Sequence, residues 1–209
     1  MLGIHDYGLF VATGVLLNLA PGQDTFYILG SSIAQGRRIG VASALGISAG
    51  CIVHTLAAAI GLSAILATSA GAFIVVKLAG AAYLVYLGIR FIMTPQGAMS
   101  SPGHIASSHA WKAFGQGIVT NVLNPKVALF FLAFLPQFID PDSPAKIAAF
   151  LALGLSFVAT GTAWCLILAV AAARVRGFFA RRPKAFARLS QAAGTVFVLL
   201  GVRLAISER

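Results

Sequence analysis

Asp24 and Lys126 are the residues of this chain best suited to chemistry. Each follows a proline inside a long apolar stretch, in Asn18-Leu19-Ala20-Pro21-Gly22-Gln23-Asp24 and Asn121-Val122-Leu123-Asn124-Pro125-Lys126. Counted along a helix, Asp24 lies about 22 Å from Leu9 and Lys126 about 18 Å from Phe114. They are the one carboxylate and the one ammonium clearly inside such stretches. A charge at the centre of a bilayer costs roughly 2.5–3.5 kcal/mol even on lenient scales, so it is kept there for a purpose.

The backbone beside them points the same way. Proline has no N–H and clashes with the carbonyl four residues back. Pro21 therefore frees the carbonyl of Leu17, and Pro125 that of Asn121. Gly22 loosens the first break further. Freed groups in lipid persist only where protein, water or ligand satisfies them, and Asn18 and Asn121 are placed to supply part of that. A zwitterion fits the set. Its ammonium would face Asp24 and the Leu17 carbonyl, and its carboxylate would face Lys126 and free amides at the Asn124–Pro125 break. The plainer alternatives are tolerated proline kinks and a simple Asp24–Lys126 ion pair that fixes the fold; the pair and a substrate site can coexist if the pair forms when the site is empty. His54, mid-way along the second apolar run, has the titration range of a proton relay. The plainer reading is a hydrogen-bonded packing histidine beside Thr55.

The elements that must carry these residues are helices in a membrane. The chain is 59% hydrophobic and 10% charged, too little charge to wrap a soluble particle, where about 25% is usual. Six runs approach the roughly 20 residues a span needs: Leu9–Ile33, Val41–Thr68, Phe73–Met93, Phe114–Phe138, Ala148–Ala173 and Leu189–Ile206. They are continuous rather than alternating, which argues against a closed barrel. No basic region precedes the first run, which reads as a retained span. A five-span arrangement with one half-inserted segment fits the same runs.

The net charge of +10 reads as topology rather than nucleic-acid binding. Arg37, Arg38, Arg90, Lys112, Arg174, Arg176, Arg181, Arg182, Lys184 and Arg188 fall on one side. Lys77, Lys146, Arg203 and Arg209 fall on the other. The positive-inside rule then places both termini outside the cytoplasm. Cys51 and Cys165 read as small packing residues. Gly46 and Gly50 form a small-xxx-small face for close helix contact. Tyr83, Tyr86, Trp111 and Trp164 serve as interface anchors or packing. His104 and His109 have a poor spacing for metal. No carboxylate pair within a span, nucleophile elbow or phosphate loop appears, so an enzyme finds little support.

The halves match in order. Gly14-x3-Asn18-x2-Pro21 answers Gly117-x3-Asn121-x3-Pro125. Ala44-Leu45-Gly46-Ile47-Ser48 answers Ala152-Leu153-Gly154-Leu155-Ser156, and Leu87-Gly88-Ile89-Arg90 answers Leu200-Gly201-Val202-Arg203. Three spans per half is odd, so the second copy enters the membrane inverted. The expected fold is an all-α integral membrane protein of six transmembrane helices. It forms two inverted three-helix repeats, residues 1–93 and 112–209, with the first and fourth helices broken. A cytoplasmic linker, 94–111, joins them. Repeats of this kind put a substrate site at the midplane.

These motifs resemble the lysine exporter (LysE) family, most closely its homoserine/threonine-resistance (RhtB) branch, over nearly the whole chain. Pro21-Gly22-Gln23-Asp24 is similar to that family's Pro-Gly-Pro-Asp. Gly36-Arg37-Arg38-x-Gly40 resembles its basic turn, and Gly80-Ala81-Ala82-Tyr83-Leu84-x3-Gly88 its third-span motif. Asn124-Pro125-Lys126 and Pro136-Gln137-Phe138 resemble its fourth-span signature. Gln23 departs from the pattern where a second proline is usual, which softens the expected break. The resemblance implies a multi-pass exporter of amino acids or close derivatives in the bacterial inner membrane, driven by proton-motive force. Its partners would be a small amino acid, protons and the bilayer, with no nucleic acid and no cofactor; a homo-oligomer is compatible with this. On this reading Asn18, Pro21, Gly22, Asp24, Asn121, Asn124, Pro125 and Lys126 bind substrate, and Asp24 and His54 handle the proton. The alternatives are an ion or metal exporter of related architecture, which would want several acidic or sulfur ligands, and a non-transporting membrane enzyme or assembly factor.

Overall fold

Each proline break splits an apolar run into two helices. A computed structural model describes residues 2–63, 70–93 and 109–181, with scattered helical positions between 188 and 206. The linker up to residue 108, with His104, lies outside the described residues. So does much of Leu189–Ile206, and so do the side chains of Lys77, Tyr83, Arg90, Arg174, Arg176, Arg181, Arg182, Lys184, Arg203 and Arg209.

The first run becomes α1, Tyr7–Leu19, and α2, Gln23–Gln35. Ala20 turns out of the helix into extended backbone (φ −64°, ψ 121°), as the residue before a proline prefers. Gly36, at φ +86°, makes the turn into α3, Arg37–Ala57, a conformation open to glycine at little cost. The axis of α3 continues through a π-helical turn, Ala58–Leu62. α4 is Ala70–Met93. The second broken run is α5, Ala110–Val122, and α6, Pro125–Ala133, closed by a 3-10 turn at Leu135–Phe138. α7 runs from Lys146 to Arg181.

Among the described residues, Arg37–Leu62 and Lys146–Ala172 are long and apolar enough to cross a membrane. The α5–α6 pair, bent by 50°, makes a third if counted as one span. The described fold is therefore all-helical and has the character of a membrane protein.

Glycines set the closest helix contacts. A Cβ on Gly117 of α5 would lie 2.6 Å from the Ser43 carbonyl and 3.0 Å from the Gly46 Cα of α3. A Cβ on Gly46 would in turn overlap the Phe114 carbonyl. The expected role of Gly46 and Gly50 in close packing is what α3 and α5 display, since backbones approach this closely only where side chains are missing.

Two apolar clusters flank the centre. One joins Phe10 of α1 to Phe130 and Phe131 of α6, Phe134 just beyond its end and Phe157 of α7. Its rings meet at 4.7 Å (Phe130–Phe157) and 4.9 Å (Phe130–Phe134). The other gathers Tyr27 and Ile28 of α2, Ile47 of α3 and Leu168 of α7. The N-terminal segment is tied to the turn after α6. Ile4 bridges Ile139, Asp140 N–H donates to Gly3 O at 2.8 Å, and Ser143 Oγ donates to Leu2 O at 3.0 Å.

Candidate functional site between the two broken helices

The breaks differ in how their ends are satisfied. Asn124 caps α6: its Oδ1 accepts from Lys126 N–H at 3.0 Å, and Pro125 occupies the first helical position, where its missing N–H costs nothing. The amides of Asn124 and Val127 are also bonded, to Asn121 O at 2.9 Å and Asn124 O at 3.1 Å. The free amides expected at this break for a substrate carboxylate are therefore taken. α2 is the opposite case. Its cap residue is Gly22, and no side chain caps it. Its first-turn amides stay available, at a helix end that favours anions.

Gly22 matters for room rather than for torsion. Its backbone is extended (φ −160°), which any residue adopts. A Cβ there, however, would sit 3.2 Å from Lys126 Nζ. The ammonium crosses from α6 to the end of α1 and donates to Leu17 O at 3.1 Å and Ala20 O at 2.9 Å. Lys126 thus satisfies the carbonyls that the Pro21 break exposes, and a cation at a helix C-terminus is favourable. The Leu17 carbonyl, expected to meet a substrate ammonium, is occupied by the protein's own.

Asp24 sits in the first turn of α2. Its Oδ2 accepts from Asn121 Nδ2 at 2.8 Å. Its Oδ1 is buried without a hydrogen-bond partner among the described residues, as are Asn121 Oδ1 and Asn124 Nδ2. The direct Asp24–Lys126 ion pair is not formed: the salt bridge among the described residues joins His5 and Asp6. Lys126, Asn121, Asn124 and His54 are the groups close enough to act on the Asp24 carboxylate.

His54 reaches Asp24 through Asn121. Its Nε2 lies 3.1 Å from Asn121 O and must carry a proton to donate there. Its ring lies 5.8 Å from that of Phe131. Its partner is thus Asn121 rather than Thr55, whose Oγ1 donates to Cys51 O at 3.0 Å. Asn18 does not serve the break as expected. Its Nδ2 donates to Thr160 Oγ1 at 3.4 Å.

Asp24, Lys126, Asn18 and Asn121 line one pocket with about 40 Å³ of free volume, room for a few water molecules. Pro21, Gly22, Asn124 and Pro125 shape the backbone beside it, and His54 stands behind Asn121. Members of both apolar clusters complete the wall. Residues read earlier only as packing, or not singled out, also line it: Thr25, Ser48, Cys51, Thr162, Trp164 and Cys165. Thr162 Oγ1 donates to Ser48 Oγ at 2.8 Å. A helical projection of α3 and α7 carries the signal for these positions, since Ile47, Ser48 and Cys51, and Val158, Gly161, Thr162 and Cys165, each recur at helical spacing.

A pocket that sets Asp24 and Lys126 between two interrupted helices of an apolar, all-helical chain fits a membrane protein. The chain belongs to the LysE type translocator family, whose model matches residues 15–208. It is 33% identical over 196 residues to the homoserine/homoserine lactone efflux protein of Salmonella typhimurium, covering 94% of each chain. It is 30% identical over 208 residues to an uncharacterised membrane protein of Pseudomonas aeruginosa, covering 98% of this chain and 96% of that one. Against the leucine efflux protein of Klebsiella pneumoniae the identity is 27% over 203 residues, 97% of this chain and 96% of that one. No solved structure matches the chain.

Proposed function

We propose that this protein is a multi-pass secondary transporter of the bacterial inner membrane that exports amino acids or close derivatives, coupled to protons. The observation that carries the proposal is the unpaired state of Asp24 and Lys126. They come from different broken helices and share one pocket without bonding to each other. Each has capacity left over. Asp24 Oδ1 is buried with no partner at full hydrogen-bond distance, the Asn124 amide standing near the carboxylate. Lys126 spends two of its three donors on Leu17 and Ala20. A substrate ammonium takes Asp24 Oδ1, and a substrate carboxylate takes the third Nζ proton, helped by the uncapped amides of α2. Protonation of Asp24 from the outside removes the charge that holds the ammonium and releases the substrate. The Asn121–His54 connection is the proposed route by which the proton state of Asp24 is sensed. The matched breaks support six spans arranged as two inverted repeats. The efflux names of two relatives support the direction of transport and the amino-acid class.

The test is a panel of labelled amino acids in reconstituted liposomes with an imposed proton gradient. At least one amino acid should move against its gradient with the wild-type chain, and Asp24→Asn should abolish the coupled movement. Full proton-coupled export by Asp24→Asn would refute the role given to this carboxylate.

A further inference from the structure

With about 40 Å³ free, the pocket lets an amino acid through only if its wall opens. Toward the start of α1 that wall is a row of aromatic rings. Phe157 lines the pocket and meets Phe130 at 4.7 Å. Phe130 meets Phe134 at 4.9 Å, and Phe134 meets Phe138 at 4.7 Å. Phe10 of α1 lies across the row, 6.2 Å from Phe130 and 5.3 Å from Phe138. All five side chains are buried.

A strap covers the far end of this row. Residues 2–5 run antiparallel to the segment that follows the Leu135–Phe138 turn. His5 N–H donates to Phe138 O at 3.0 Å, and Asp140 N–H donates to Gly3 O at 2.8 Å. Between these bonds Ile4 faces Ile139. They form a non-hydrogen-bonded pair, the kind whose Cα atoms stand about 4.5 Å apart. Gly3, at φ +67°, lets the segments close up: a Cβ there would lie 2.6 Å from the Ser143 Cβ. Ile4 packs on the same cluster as the rings, and the His5 ring lies 6.3 Å from that of Phe138. The first residues of a chain are poorly ordered unless tied down, and these are tied to the other half of the protein. The strap joins the start of the first broken helix to the end of the second. Arg37, Arg38 and Lys112 stand at the opposite ends of those two runs, so the positive-inside rule sets the strap on the outer side. The bonds near Asp24 are buried, but His5 and Asp6 are about half exposed. Water is at hand there to replace the backbone bonds of the strap, which makes local opening inexpensive.

We propose that residues 2–5 and 138–143 form the outer gate: a strap, closed in this structure, that parts together with the Phe10–Phe138 contact beneath it to release the substrate. This rests on the transport reading above and adds to it the element that opens.

The test is the double variant Ile4→Cys/Ile139→Cys, because a Cα separation of about 4.5 Å lies within the span of a disulfide. It is assayed in proteoliposomes with the same panel of labelled amino acids. Transport should proceed when the variant is reduced, fall to the level of empty liposomes on oxidation with copper–phenanthroline, and return on addition of dithiothreitol. The return shows that the locked protein is folded. Each single variant should keep its rate under the oxidant. A cross-link that forms while transport continues makes the strap a fixed staple, which overturns the inference and leaves the transport reading standing. A cross-link that does not form, or an equal loss of rate in a single variant, overturns it as well. If neither the wild type nor the reduced double variant moves any amino acid, the transport reading falls and the inference falls with it.

Discussion

Removing the Lys126 ammonium should expose how the two halves depend on each other. Lys126→Met keeps the length of the side chain and deletes the donor. Two carbonyls at the end of α1, Leu17 O and Ala20 O, then lose a partner at 3.1 and 2.9 Å. Each orphaned buried acceptor costs about 1–3 kcal/mol, so the pair costs roughly 2–6 kcal/mol. Asp24 also loses its nearest opposing charge, which adds to the loss because a buried charge is left uncompensated. At about 2–4 °C per kcal/mol for a chain of this size, the melting point should fall by on the order of 10 °C. Cys51 and Cys165 are buried free thiols, so a thiol-reactive fluorophore in detergent reports unfolding without added labels. The double variant Asp24→Asn/Lys126→Met separates the two contributions. It restores charge balance but not the carbonyl partners, so it should melt above the single Lys126→Met variant and below wild type. Melting within about 2 °C of wild type for Lys126→Met would show that the ammonium does not cap α1. Strictly additive losses in the double variant would show that the two charges are not coupled.

The remaining expectations concern the scaffold of the site. Asn124→Ala removes the cap of α6 and should cost about 1 kcal/mol, read as a small drop in the same melting assay. Gly50→Ala would set a Cβ 2.8 Å from the Asn121 Cβ and 2.9 Å from the Ile118 carbonyl. It should cost roughly 1–3 kcal/mol through overpacking and reduce transport by displacing Asn121 from Asp24, whereas Gly61→Ala, with open space around it, should leave transport unchanged. Tyr27→Phe removes a buried 2.7 Å bond to the Ala113 carbonyl and should lower stability by about 1 kcal/mol without altering substrate preference. A transported amino acid should slow maleimide labelling of Cys51 and Cys165, because both thiols line the same pocket; an unchanged rate would place the substrate elsewhere.

Proline chemistry makes the breaks legible in the sequence alone. Pro21 and Pro125 each end one helix and admit another, α3 and its π-helical turn cover the second apolar run as far as the described residues go, and α7 covers the fifth but continues to Arg181. The partners were not legible. A proline says which carbonyl is released, but Lys126 takes the Leu17 carbonyl from 109 residues away, and no local rule predicts such a match. The same limit hid the cap at α6. Asn124 was visible as a polar residue at a break, yet only the folded backbone shows that its side chain consumes the amide once assigned to a ligand. Ser48, Thr162 and Trp164 were missed as site residues for a different reason. Uncharged residues of moderate polarity occur on packed membrane faces and on pocket walls alike, and only the neighbours distinguish the two.

These cross-connections bear on how an exporter would move. Each broken helix is completed by the other half of the chain. The end of α1 is held by Lys126 of α6, and Asp24 of α2 is held by Asn121 of α5, whose carbonyl is held in turn by His54 of α3. On the proposed transport reading, sliding α1–α2 past α5–α6 would break these polar bonds, and that penalty would hold the empty protein in one state. A bound amino acid offers an ammonium and a carboxylate at the same place, so it can replace what the movement removes. An Asp24 that is protonated, or changed to Asn, leaves the ammonium without its partner, and the exchange no longer balances. Loss of coupled export and retention of the fold in Asp24→Asn are, on this argument, two outcomes of the same arrangement, because the bond to Asn121 survives as an amide–amide contact while the charge does not.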